Sequence, residues 1–167
     1  MKNNQRPAPK SILLVCLGNI CRSPTAEEVF RQHLAMSGLS IKVDSAGTAN
    51  YHPGSKPDER SIAHAKAHGY SISKIRARQV LDEDFDRFDL IMAMDEANLE
   101  ELRERRALLR EGGQEAGAAV VLFSKHDPLF EGTAVPDPYH GSDSDFERVI
   151  EQSESSVKAW IQRWQRS

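Results

Sequence analysis

The apolar run Ile12-Leu13-Leu14-Val15 leads straight into Cys16, and a helix-start signal follows at Ser23-Pro24. A short apolar run before a tight polar loop reads as a buried strand, and serine followed by proline reads as the first turn of a helix. The chain is therefore committed to a strand, loop and helix unit whose loop lies at a sheet edge. Backbone N–H groups in such a turn face an anion, and the unpaired amides of the first helical turn add roughly half a positive charge. Gly18 keeps side-chain bulk out of the turn, and Asn19 tolerates left-handed dihedrals while its amide braces the loop.

Two side chains give that cradle a chemistry. Arg22 offers a planar fork that grips two phosphate oxygens together, which lysine cannot do. Cys16 stands where helix dipole, amides and Arg22 all favour negative charge, so a thiolate nucleophile is expected there at neutral pH. The phosphate-binding residues are then Leu17, Gly18, Asn19, Ile20, Cys21, Arg22 and Ser23. Ser23 is expected as the helix N-cap, with its hydroxyl free either to bond the Cys16 sulfur or to cap the amides. A thiolate that cleaves a phosphate monoester also needs an acid to protonate the leaving oxygen. Asp127-Pro128 and Asp137-Pro138 both follow the last strand candidate, and the residues alone leave them even.

The run from Val15 to Pro24, with Ala26-Glu27 and Phe30, resembles the low-molecular-weight protein tyrosine phosphatase family. Further matches in the family's order are Asp44-Ser45-Ala46-Gly47, Ala77-Arg78-Gln79, Asp84-Phe85, Met94 to Leu99 and Pro136-Asp137-Pro138-Tyr139. The resemblance implies an α/β fold in three layers. A four-stranded parallel sheet in the order 2-1-3-4 carries helices on both faces and the phosphate loop after its first strand. It favours Asp137 over Asp127 as the general acid and base, and implies a phosphocysteine intermediate with no metal or other cofactor. Asn19, Ser23 and Ser45 are implied as loop supports, Tyr51 and Tyr139 as aromatic walls of the substrate cleft, and Cys21 as a reversible redox partner of Cys16. His140 also falls in the cleft, where some members have a second tyrosine, and Lys74 takes the place of a bracing histidine. Ile20 resembles the phosphotyrosine branch, since relatives acting on phosphoarginine tend to carry threonine there. The implied partners are tyrosine-phosphorylated proteins or peptides, with inorganic phosphate as product and competitive ligand. A phosphoarginine phosphatase and a catalytically silent phosphotyrosine-binding module are the alternatives; arsenate reduction usually relays through a third cysteine, and this chain has two.

The rest of the chain is read from pattern and composition. At 167 residues one domain is expected over 11–167, behind a flexible tail over 1–10 that contains Pro7 and Pro9. A net charge of −3 gives no basic field for nucleic acid, and no apolar run reaches membrane-spanning length. Two cysteines make no disulfide scaffold, and a reactive thiol needs a reducing compartment, so the cytoplasm is expected. Strands are predicted over Ser11–Val15, Ile41–Asp44, Phe88–Ala93 and Ala119–Leu122, alternating with helices. Helices are predicted from Ser23 to before Gly38, from Pro57 to His68, from Asp95 to about Leu109, and along an apolar stripe from Phe146 to Trp164. His64 and His68 are expected at the surface rather than on a metal. Arg103, Arg105, Arg106 and Arg110, set among Glu100, Glu101, Glu104 and Glu111, predict a solvated face of salt bridges.

Overall fold

The computed structural model describes residues 7–166. Of the expected tail, residues 1–6 lie outside the described residues; beyond them, Ala8 packs against the core and the Lys10 N–H donates to Asp89 at 2.7 Å. Four strands, β1 (Ser11–Cys16), β2 (Lys42–Gly47), β3 (Leu90–Ala93) and β4 (Ala119–Leu122), form one all-parallel sheet in the order β2-β1-β3-β4. Five helices connect and cover it: α1 (Arg22–Ser37), α2 (Glu59–Ala67), α3 (Asp84–Arg87), α4 (Glu96–Glu111) and α5 (Asp143–Gln165). All but α3 are legible as patterns; α3 is a single turn, too short to show a helical period.

Strand alternation sends β1 into two cores, as a sheet buried on both faces requires. Ile12, Leu14 and Cys16 pack with α1 and with Val149, Val157, Trp160 and Trp164 of α5, which bear out the expected stripe. Leu13 and Val15 face the other way, against Phe85 of α3 and Leu99 and Leu102 of α4. Gly38 ends α1 in the left-handed conformation at φ 74°, as its position predicts. The second strand starts and ends later than expected because Ser45, Ala46 and Gly47 continue its pairing with Leu14, Val15 and Cys16. Gly47 is required there, since a Cβ would lie 2.6 Å from the Leu17 carbonyl oxygen.

The arginines of α4 depart from the predicted salt-bridged face. Arg103, Arg106 and Arg110 donate to the carbonyls of Val120, Ala118 and Ala116 at 3.0 Å in their shorter contacts. They occupy carbonyls along edge strand β4 and its approach, which an incoming strand could otherwise pair with. Arg105 instead reaches Asp82 at 2.7 Å and the Val80 carbonyl at 3.0 Å.

His64 and His68 clasp α5 to α2. Glu147 takes His64 Nδ1 at 2.6 Å and His68 Nε2 at 2.5 Å, and Asp143 lies 3.2 Å from His64 Nε2. Glu147 foremost, against partial burial and with help from Asp143, raises the pKa of His64. A raised folded-state value means that the stabilisation is complete below the unfolded value of about 6.5 and fades as pH rises through the folded one. Thermal melts of His64→Gln across that range should accordingly lose stability against wild type mainly at the acid end; an equal loss at every pH would contradict the clasp.

Candidate functional site

The loop of residues 17–21 leaves β1 at the carboxyl edge of the sheet, where open parallel sheets hold their ligands. Its carbonyls face outward: Cys16, Leu17 and Ile20 accept from the N–H groups of Thr48, Ala49 and Asp58 at 2.9, 3.0 and 2.8 Å. Among the described residues, the N–H groups of Gly18, Asn19, Ile20 and Cys21 donate to no protein acceptor. A row of unspent donors at a helix N-terminus is an anion site. The left-handed residue of the turn is Asn19, at φ 58°, and Gly18 does not share that conformation.

A buried network holds Asn19 in that unfavourable conformation. The Arg78 N–H donates to Asn19 Oδ1 at 3.0 Å, which turns the amide nitrogen of Asn19 toward Ser23 Oγ at 2.7 Å and Ser45 Oγ at 3.0 Å. Ser23, already accepting from Asn19, has its own proton for Cys16 Sγ at 3.0 Å. Helix α1 begins at Arg22, with Cys21 in the N-cap position. Of the two roles open to Ser23, the structure therefore shows the sulfur contact, and the expected N-cap is corrected. Lys74 is exposed, and Ser45 donates instead to Glu27, a buried carboxylate of α1, at 2.6 Å. Burial pushes the Glu27 carboxyl up, opposed by Ser45 and by Arg31 at 2.7 Å. Glu27 belongs to the Ala26-Glu27 pair that shares in the family resemblance, but nothing in its helical spacing separates it from an ordinary surface glutamate.

Arg22 is 3% exposed and is held from a second direction. Its Nη1 donates to Asp95 Oδ2 at 2.6 Å and to the Val135 carbonyl at 3.1 Å, while Asp137 stands 3.7 Å from Nη2. Asp95 does two jobs: its other oxygen accepts the Asn98 N–H at 2.8 Å and caps α4. Only the capping was legible in the sequence. Burial works against the charge of Arg22, but Cys16, Asp95 and Asp137 outweigh it and keep the guanidinium ionised.

Around this base lies a cavity of about 310 Å³, lined by Cys16, Leu17, Gly18, Ile20, Cys21, Arg22, Tyr51, His52, Asp137, Tyr139 and His140. Nucleophile candidate, arginine, carboxylate and aromatic rim thus come together in one cleft. Tyr51 and Tyr139 remain partly exposed at its mouth, with His52 between them at 6.4 Å from each ring. His52 was not singled out in the sequence, where it sits in a polar loop without a pattern. Asp127 stays out of the cleft. It is buried beneath the loop, where it accepts from Ser156 at 2.6 Å, Ser155 at 2.7 Å, and the N–H groups of Leu129 and Phe130. Burial would raise its pKa, but these four donors hold it below the usual carboxylate range. Serving as a turn residue, it also ties the loop to α5.

The two cysteines are chemically unlike. Burial first, with Asp58, Cys16 and Asp137 adding repulsion against a lowering bond from Ser61, pushes the Cys21 thiol up to about 12. Cys21 is thus a thiol at neutral pH and a poor nucleophile toward phosphorus. Brief treatment with iodoacetamide at pH 7, read by peptide mass mapping, should label Cys16 and spare Cys21; preferential labelling of Cys21 would contradict this assignment.

Fold and site together define the class: a parallel α/β domain built around a thiol at the foot of a phosphate-sized amide loop. The chain belongs to the low molecular weight phosphotyrosine protein phosphatase family, whose family model matches residues 11–167. It is 41% identical over 158 residues to the human protein of that name, covering 93% of this chain and 96% of that one. Among solved structures, a protein tyrosine phosphatase from Entamoeba histolytica superposes with a TM-score of 0.83 at 35% identity, covering 93% and 97% of the two chains. A Drosophila arginine phosphatase superposes at 0.85 with 30% identity, covering 92% and 96%.

Proposed function

We infer that residues 11–167 act as one phosphatase domain that hydrolyses phosphotyrosine in proteins or peptides through a phosphocysteine. The observation that carries this reading is the set of unspent N–H groups at Gly18 to Cys21, closed on one side by Arg22 and on the other by Cys16. In the first step, the Cys16 thiolate attacks phosphorus in line. The loop amides and Arg22 hold the equatorial oxygens, the phosphorus–oxygen bond breaks, and Asp137 gives its proton to the phenolic oxygen. In the second step, Asp137 takes a proton from water, the water oxygen attacks phosphorus, and the sulfur–phosphorus bond breaks. Thiolate and inorganic phosphate return, the latter also a competitive ligand of the same loop. Charge stabilisation comes from donors fixed before the reaction begins, which avoids reorganisation at the transition state.

The aromatic rim supports a tyrosine-sized substrate: Tyr51, His52 and Tyr139 stand above the loop and would flank a phenyl ring. Ile20, which lines the cavity, resembles the phosphotyrosine branch of the family. For Cys21 we propose the redox role. Peroxide would oxidise the Cys16 thiolate to a sulfenic acid, and the Cys21 thiol would displace water from it to form a reversible disulfide. Such chemistry fits the reducing cytoplasm. Among the described residues no helix is long and apolar enough to cross a membrane. Phosphate release from phosphotyrosine, phosphoserine and phosphoarginine peptides of the same sequence tests the assignment. Preference for phosphotyrosine is expected, and preference for phosphoarginine would overturn the substrate.

A further inference from the structure

The segment that carries Asp137 is poorly anchored by its own backbone. Pro136 and Pro138 have no N–H, the Tyr139 N–H is spent on Asp137 Oδ1 at 3.1 Å, and the Gly141 N–H turns back to Pro138 at 2.8 Å. Among the described residues, one hydrogen bond joins positions 136–141 to another element: Arg60 of α2 donates from Nη2 to the Tyr139 carbonyl at 2.8 Å. Asp137 itself has the looser ion contact with Arg22 at 3.7 Å.

Arg60 is itself fixed from three sides. Its Nε and Nη2 form a two-pronged pair with Asp58 at 3.1 Å each, and its guanidinium lies 4.6 Å over the Phe146 ring of α5 and 5.9 Å from that of Tyr139. Asp58 caps α2 and gives its N–H to the Ile20 carbonyl of the phosphate loop at 2.8 Å. A continuous path therefore runs from that loop through Asp58 and Arg60 to the carbonyl two residues beyond the acid.

We propose that Arg60 is a positioning residue for the general acid, holding the Asp137 segment at a set height over the phosphate loop. The proposal rests on the phosphatase reading above and deepens it: Arg60 acts through Asp137 and touches no reacting atom. Its loss should appear only where the acid is needed. A proton donor misplaced by a fraction of an ångström matters most when the leaving oxygen is strongly basic.

The test compares Arg60→Met, which keeps a stem for packing on Phe146, and Arg60→Lys with wild type. It reads kcat/KM for phenyl phosphate, a poor leaving group, and p-nitrophenyl phosphate, a good one. A fall of about tenfold on phenyl phosphate against about twofold or less on the nitro ester is expected for Arg60→Met, with Arg60→Lys between. Equal falls on both esters, or none on either, would overturn the proposal. Hydrogen exchange on the full chain gives a readout that needs no turnover: the amides of Tyr139 and Gly141 should exchange faster in Arg60→Met while those of β1 do not change. Unchanged protection at Tyr139 and Gly141 would overturn the proposal even in an inactive protein. A wild type without turnover on either ester would instead overturn the phosphatase reading.

Discussion

Cys16→Ser is expected to abolish phosphate release from a phosphotyrosine peptide, lowering kcat by at least about 10⁴-fold while leaving peptide binding in place. Serine keeps the shape and the Ser23 contact but presents a hydroxyl with no base positioned to take its proton; its hydrogen-bonded neighbour, Ser23, is another hydroxyl and too weak a base for that. Arg22, still held by Asp95, and the free loop amides remain to hold the phosphate, so the variant should act as a substrate trap. Steady-state phosphate release combined with calorimetric titration of the peptide separates the two quantities. Residual turnover near the wild-type rate would remove Cys16 from the mechanism, and loss of binding along with turnover would show that the sulfur shapes the cradle rather than reacting in it.

Asp137→Asn is the second large effect, and it should be selective. Asparagine can still accept the Tyr139 N–H through its side-chain oxygen, which leaves the local turn intact. It has no proton to give at the leaving oxygen and cannot take one from water. For phenyl phosphate, kcat/KM should fall about 10²–10⁴-fold, with a smaller fall on p-nitrophenyl phosphate, whose leaving group departs without protonation. The matching change Asp127→Asn should spare this contrast. Asp127 binds Ser155 and Ser156 of α5 outside the cleft, so its loss would lower stability instead. An equal fall on both esters for Asp137→Asn would point to general damage, and a selective fall for Asp127→Asn would reverse the assignment between two aspartates that sequence physics left even.

Much of this site could be read from the chain because its parts are close in sequence. Cys16, Asn19, Arg22 and Ser23 lie on one loop and one helical turn, so a strand ending and a helix beginning place them without reference to the rest of the fold. The four strands follow from short apolar runs, and α5 from a stripe that the core then buries. The strand order and the choice of Asp137 came from family resemblance.

What stayed hidden depends on contacts far apart in sequence. Asp95 pairs with Arg22 across 73 positions, and Ser45 with Glu27 across 18, while Arg60 reaches Tyr139 across 79. The arginines of α4 show the same limit: a helix dense in alternating charge looks like a set of i,i+4 ion pairs, yet three of the arginines cover carbonyls at the sheet edge. Ser23-Pro24 marked the start of α1 well, but helix geometry begins at Arg22, which frees the Ser23 hydroxyl for the sulfur.

A phosphocysteine on the path can be caught directly. Asp137→Ala mixed with p-nitrophenyl phosphate should form the phosphoenzyme readily, because the nitrophenolate leaves unaided, but should hydrolyse it slowly for want of a base. Acid quenching within the first turnover, followed by peptide mass analysis, should find one phosphoryl group on the peptide that contains Cys16, lost on mild oxidation and absent from Cys16→Ser. A burst of nitrophenol with no phosphoryl group on that peptide, or with the group on another residue, would contradict the account.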